Sequence, residues 1–396
     1  MNNNLPTKGR LDVVVKYFYP LMAGIEVNIM NVYSHLAEKG WEVYIHTTTD
    51  MPDMLDSLQK REEINNLHII RYRWQWFGFS PKVEWDKTSA LCLHNFNVFP
   101  HSWLFLKVWW ERFFKKSRIK VFLTPHGGFT PEWPTFSPGV RFFKRIYHNT
   151  LGIFFINHIV DGLRSVSEWE MEKTVKLGVK SEKVRVIQNG LEKEVLEDVE
   201  ELASSEVREL VTSLTPYVIQ IGRIHPIKNQ KVVVEALQLL PQEIKFAIVG
   251  PVTDFDYEKE LRKTMKKLGL KRRVIFLGVK IGIDKYYLLR HSLAGVHMAY
   301  WESYCNAVHE YMSQGCICVV SKDTALEELV KNNQNGYCVK VDDSKAVAEK
   351  IKYIYQSRGN KEMLKMMERN VAFTKGHSWE AIADRVEDFY NRYLEE

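Results

Sequence analysis

The sequence predicts an α/β protein made of two doubly wound domains, each a mostly parallel sheet covered by helices. Three observations lead there. Strand-like apolar runs alternate with helical patterns from Leu11 to about Gly190, the alternation restarts at Tyr217, and 396 residues exceed what one ordinary core encloses. Ligands of doubly wound sheets bind beyond the carboxyl ends of the strands, so two such domains facing each other are expected to form a ligand cleft.

Taken in order, the polar start MNNNLPTKGR runs directly into the strand LDVVVKYF, which predicts no signal peptide. Gly24 lies in a turn after Pro20, where it lets a helix N-terminus approach a ligand. After the strand KVFLT comes TPHGG (124–128), where flanking glycines bring backbone close to a ligand and leave the His126 imidazole exposed. A lone histidine is more often structural. LGIFFINHIVDGL (151–163) is the apolar run nearest to membrane length, but Asn157, His158 and Asp161 interrupt it, so no transmembrane helix is expected. The acidic stretch LEKEVLEDVEELASSEVRELVTSLTP reads as a linker. Beyond it come the strands YVIQIG, KFAIVG, RVIFLG, LAGVHMA and CICVVS, with Gly222, Gly250 and Gly278 at strand ends. The terminal HSWEAIADRVEDFYNRYLEE has apolar residues at helical spacing. The domains are therefore placed at 1–195 and 213–376, followed by a helix over 377–396.

The segment MAYWESYCNAVHEYMSQGCICVVS (298–321) carries most of the chemistry. Glu302 falls in a loop and Glu310 two turns into a short helix, with Ser303 as the expected N-cap. A helix N-terminus presents unpaired N–H groups and the positive end of its dipole to a phosphate. Carboxylates cannot share that phosphate, so they face hydroxyl-rich groups attached to it, namely sugar and ribose. The bland alternative is a surface helix with two solvated glutamates. YVIQIGRIHPIKNQKVVVEALQLL (217–240) adds a strand, a turn bearing Gly222, Arg223 and Lys228, and a helix, which together outline a diphosphate clamp.

On these motifs the chain resembles the retaining glycosyltransferases of family 4, whose fold (GT-B) is two facing Rossmann-like domains. FYPLMAGIEVNIMNVYSHLAEKGWEVYIHTT (18–48) is similar to the family's opening strand, glycine loop, helix and second strand, and TPHGG resembles its histidine loop. SVSEWEMEKTVKLGVKSEKVRVIQNGL (165–191) resembles the end of its first domain. GRIHPIKN (222–229) and the Glu302/Glu310 pair match its donor-site signatures.

The resemblance implies that Arg223, Lys228 and the helix start at Ser303, Tyr304, Cys305 and Asn306 take the leaving diphosphate without a metal. Glu302 would hold a donor-sugar hydroxyl, Glu310 the ribose, and His126 the transferred sugar or its phosphate. Gly24 and Gly222 would approach the diphosphate, and Lys280, next to Val279, the base. Glu26 matches a position often acidic in the family. The last helix would cross back onto the first domain. Transfer would retain the anomeric configuration through front-face attack, with no cofactor beyond the UDP- or GDP-sugar substrate. Two departures stand out: Cys305 replaces a usual glycine, and Ala23-Gly24 replaces paired glycines. With ordinary dihedrals at position 305, altered donor fit is expected rather than lost activity.

Composition excludes several other classes. With 45% hydrophobic and 26% charged residues the chain is globular, and its five cysteines match no zinc spacing, which fits reduced core thiols. Asp254 and Asp256 read as a solvated acidic loop, not as a metal site. Net charge is +6, but residues 101–150 hold nine Lys or Arg against two Asp or Glu, interleaved with aromatics. That pattern suits an anionic membrane surface, and equally a helix with its aromatics in the core; no nucleic-acid motif accompanies it. The expectation is a cytoplasmic hexosyltransferase, peripheral at the inner membrane face, acting on a glycan or lipid-linked acceptor. A sugar-nucleotide epimerase of the same fold and a non-catalytic sugar-nucleotide-binding homologue are the alternatives, because fold alone does not select function.

Overall fold

The computed structural model describes residues 7–50, 58–127 and 137–395, and the chain divides into two compact units, Met1–Gly190 with Trp379–Glu396 and Leu191–Ser378. The first holds an eight-stranded sheet in the order β3-β4-β2-β1-β5-β6-β7-β8. Its strands are β1 Gly9–Val14, β2 Trp41–Thr48, β3 Arg61–Ile64, β4 Leu67–Tyr72, β5 Thr88–His94, β6 Lys120–Thr124, β7 Gly162–Ser165 and β8 Val184–Val186. All neighbours are parallel except β3, which runs antiparallel to β4 at the edge. The interior strands read as continuous apolar runs because helices cover both faces. The helix Gly24–Glu38 buries Ile29, Val32, Tyr33 and Leu36 in one core layer together with Trp379, Ile382, Val386, Phe389 and Tyr390 of the last helix, Trp379–Leu394.

The second unit is an all-parallel six-stranded sheet in the order β11-β10-β9-β12-β13-β14. Its strands are β9 Tyr217–Ile221, β10 Lys245–Val249, β11 Val274–Gly278, β12 Ala294–His297, β13 Cys318–Ser321 and β14 Gly336–Val339. Strand order reverses between β9 and β12, so the loops leaving these two strands diverge and open a crevice at their carboxyl ends. In the first unit the equivalent reversal falls between β1 and β5.

The acidic segment read as a linker is instead part of the second unit. Its helix Ser205–Leu214 is capped by Ser204 and buries Val207, Val211 and Leu214 at helical spacing, an apolar stripe that the charge of the segment masks. The boundary accordingly falls at Gly190/Leu191 and not after residue 195. Gly250 is needed where it stands, because a Cβ there would lie 2.2 Å from the Gly222 carbonyl oxygen. All five cysteines are buried and free; Cys316 precedes β13 and does not share it with Cys318.

Candidate functional site

The carboxyl ends of β9 and β12 bring Lys228, His297 and Glu302 together. A short turn, Pro226–Lys228, follows β9 and sends the Lys228 ammonium to the Glu302 carboxylate in the loop after β12. His297, the last residue of β12, holds the same oxygen, Glu302 Oε1, at 2.8 Å through Nε2, and the Cys305 sulfur lies 3.4 Å from that nitrogen. Burial pushes the Glu302 carboxyl up, but the Lys228 charge and the His297 hydrogen bond prevail and hold it down to about 2. His297, Glu302 and Cys305 have metal-ligand chemistry within 4.8 Å of one another. Here the Lys228 ammonium already neutralises the carboxylate, and burial pushes the thiol far above its ordinary range, so the group is built as an ion pair.

The helix that follows runs Asn306–Ser313, and its N-cap is Cys305, not Ser303. The Cys305 side chain makes no capping hydrogen bond. Cys305 has φ 85° and ψ 86°, the left-handed region that favours glycine, so the condition of ordinary dihedrals at this position is not met. A non-glycine residue there carries strain of about 1–2 kcal/mol. Tyr304 turns its hydroxyl inward to His309 Nδ1 at 3.0 Å, so its phenol is engaged within the second unit. Glu310 sits in the second turn of the helix, and Lys285 Nζ holds it at 3.2 Å while also reaching Glu192 at 3.2 Å. Burial raises the Glu310 carboxyl against the pull of Lys285.

Other expected residues are placed as follows. Arg223 is exposed and its guanidinium has no partner in the described chain. Gly222 has φ 151°, and a Cβ there would stand 3.8 Å from the Lys228 side chain. Lys280 is half-buried in the loop after β11. Asp254 caps the helix Phe255–Lys267, accepting from the Tyr257 amide at 2.9 Å, and is a helix cap more than a solvated loop residue.

In the first unit, Gly24 is the first residue of its helix rather than a turn residue, and a Cβ there would meet nothing within 4 Å. Glu26 accepts from the Ala23 amide at 3.1 Å, the half of a capping box that an alanine N-cap allows, so this helix start already carries its own anion. His126 follows β6 at φ 50°, and the Gly127 amide donates to the buried carboxylate of Glu170. Glu170 also accepts from the Val166 amide at 2.8 Å and the Ser165 hydroxyl at 3.2 Å, and so pins the histidine loop. Gly128 lies outside the described residues. Sequence reasoning missed His94, Glu170, Lys285 and His297. A polar residue ending an apolar strand, as in TSALCLH and AGVH, was the one signal for the two histidines.

The basic aromatic helices are not core elements on their aromatic side. In His101–Lys115, Leu104, Phe105 and Val108 are buried while Trp109, Trp110, Phe113 and Phe114 are 47–67% exposed. In Pro138–Tyr147, Phe142 and Phe143 are exposed as well. No helix among the described residues is long and apolar enough to cross a membrane.

Two Rossmann-like units, the second with the Lys228–Glu302 pair at its switch point, match the architecture of GT-B glycosyltransferases. The family described as "Glycosyl transferases group 1" matches residues 208–372 and the one described as "Glycosyltransferase Family 4" matches residues 22–195. The chain belongs to this glycosyltransferase family. Among solved structures it is similar to HepE of Anabaena in complex with UDP and glucose, with TM-score 0.74 and 16% identity over 97% of this chain and 100% of that one. Similarity to sucrose-phosphate synthase of Thermosynechococcus elongatus gives TM-score 0.76 and 16% identity, covering 98% and 100%. A curated relative is the Campylobacter jejuni N-acetylgalactosamine-N,N'-diacetylbacillosaminyl-diphospho-undecaprenol 4-alpha-N-acetylgalactosaminyltransferase, 21% identical over 62% of this chain. Another is the Escherichia coli UDP-Gal:alpha-D-GlcNAc-diphosphoundecaprenol alpha-1,3-galactosyltransferase, 26% identical over 43% of this chain. The chain spans 64% and 44% of the length of these two relatives.

Proposed function

We propose that this protein transfers a hexose from a UDP- or GDP-sugar to a lipid-linked acceptor with retention of anomeric configuration. The observation that carries the reading is the Lys228–Glu302 pair at the β9/β12 switch point, next to the start of the helix Asn306–Ser313. Departure of the diphosphate builds negative charge on its oxygens and positive charge on the anomeric carbon. The incoming diphosphate draws Lys228 from Glu302 and is met by Arg223 and the N–H groups at Cys305 and Asn306. Glu302, released, accepts from a hydroxyl of the donor sugar, and Glu310, steadied by Lys285, accepts from the ribose. His126 serves the transferred sugar or its phosphate. The bond from the anomeric carbon to the leaving oxygen breaks as the acceptor oxygen bonds on the same face, and the acceptor's proton passes to the leaving phosphate.

The two curated relatives named above act, by their names, on diphospho-undecaprenol acceptors. An exposed face of aromatic and basic residues on the helices at 101–115 and 138–147 supports the same acceptor class, since it suits a lipid surface. Thermal-shift measurements against UDP, GDP and ADP, followed by transfer to a polyprenyl-diphosphate sugar, test the reading. Melting raised by UDP or GDP together with a new glycosidic product supports it. The left-handed Cys305 favours one rival, a non-catalytic homologue, and donor binding with no product from any acceptor would decide for that rival.

A further inference from the structure

His126 is the outer end of a buried hydrogen-bond chain. Its Nε2 lies 2.9 Å from Nδ1 of His94, the last residue of β5. His94 Nε2 is 2.9 Å from the Tyr33 hydroxyl on the first helix, which is 2.8 Å from the Tyr390 hydroxyl on the last helix. Tyr33, His94 and Tyr390 are 0–2% exposed, whereas His126 is half-buried and its Nδ1 has no partner among the described residues. Burial, and after it the Arg164 guanidinium, hold His126 down to about 3. Burial, and after it the neighbouring His126, Arg164 and His101, holds His94 well below its ordinary value. Both rings are therefore neutral at physiological pH, and each carries a single proton.

In such a chain the proton positions are not independent. If Tyr33 donates to His94 Nε2, the His94 proton must sit on Nδ1 and be donated to His126 Nε2, which places the His126 proton on the outward Nδ1. The reverse sense leaves that Nδ1 bare. A phenol, whose oxygen lone pair is drawn into its ring, donates to an imidazole nitrogen better than it accepts from an imidazole N–H, and aligned bonds reinforce one another. The outward sense, from Tyr390 through Tyr33 and His94 to His126, is the stronger one.

We propose that Tyr390, Tyr33 and His94 are positioning residues that fix His126 as its Nδ1–H tautomer, so that it offers the substrate a hydrogen-bond donor and not a base. The functional half of this rests on the assignment of His126 to the transfer site; the tautomer half does not. The test uses the full-length protein with 15N-labelled histidine and no substrate, with two-bond 1H–15N correlations identifying the protonated nitrogen of each ring. His126→Gln and His94→Asn assign the signals. Wild-type His126 is expected to be protonated at Nδ1. Tyr33→Phe, which removes the donor to His94, is expected to shift His126 toward the Nε2–H form and to lower kcat about tenfold or more while leaving KM for the donor within about twofold. His94→Asn can still donate to His126 Nε2 through its amide and should retain the tautomer and most of the activity, where His94→Leu loses both. A wild-type His126 protonated at Nε2 overturns the proposal without any variant, as does a Tyr33→Phe protein with unchanged tautomer. An altered tautomer with unaltered kcat overturns the functional half. Absence of transfer by the wild-type protein would instead count against the proposed function and leave the tautomer result standing.

Discussion

Lys228→Met should destabilise the second unit even without any ligand. The side chains of the Lys228–Glu302 pair are 16% and 12% exposed, so solvent screens them little. Glu302 has its carboxyl lowered from 4.5 to about 2 despite burial, with the Lys228 charge the largest favourable influence and His297 the next. That depression corresponds to roughly 3 kcal/mol, to which Lys228 and His297 both contribute against the cost of burial. The folded value lies below the unfolded one, so this stability is present above about pH 4.5 and is lost as pH falls toward 2. Urea unfolding at pH 7 of Lys228→Met, Glu302→Gln and the double variant closes a cycle whose coupling should lie between about 1 and 3 kcal/mol. Coupling below about 0.5 kcal/mol, the value of an exposed surface pair, would refute the reasoning. The same substitution should lower transfer about a hundredfold or more, since a contact to developing charge is lost.

Glu310→Ala should abolish transfer with its fold intact and with weaker UDP or GDP binding in the thermal-shift assay; near-normal turnover would remove Glu310 from the ribose. If Arg223, Lys228 and the helix start meet the diphosphate as proposed, transfer should survive EDTA, and complete loss rescued by manganese or magnesium would bring Asp254 and Asp256 back into consideration. The protein should sediment with anionic vesicles less as salt rises, and Phe113→Ala with Phe143→Ala should weaken that binding; equal sedimentation with neutral vesicles would count against a lipid-facing role. His101, His126, His148 and His309 are held at about 4, 3, 4 and 3, chiefly by burial. Their unfolded forms take up protons below about pH 6.5 while the native forms do not, so urea stability should fall as pH drops from 6.5 toward 4, by up to about 1.4 kcal/mol per pH unit for each. A flat profile over pH 7.5 to 5 would contradict this.

The sequence by itself determined the α/β architecture, five of the second unit's six strands, and the Gly222–Lys228 and Glu302–Glu310 motifs. Each of these is local: a buried strand is a short apolar run, and a glycine at a strand end marks where backbone must turn. Partnership was decided only by the tertiary structure. Lys228 meets Glu302 because β9 and β12, far apart in the chain, become neighbours at the reversal of strand order. Glu310 meets Lys285 across two helices, and His126 meets His94 across adjacent strands, with no spacing in the chain to announce either contact. The acidic segment after residue 190 read as a linker because its charge hid an apolar stripe that becomes visible once Val207, Val211 and Leu214 lie against the second unit's core. Exposure was equally unreadable. An aromatic repeat at helical spacing has the same sequence whether it faces a core or solvent, and the packing of Leu104, Phe105 and Val108 against the first sheet is what turned Trp109, Trp110, Phe113 and Phe114 outward. The backbone at Cys305 was likewise set from outside the residue: the loop from β12 must enter the helix through a left-handed turn, whatever side chain occupies it.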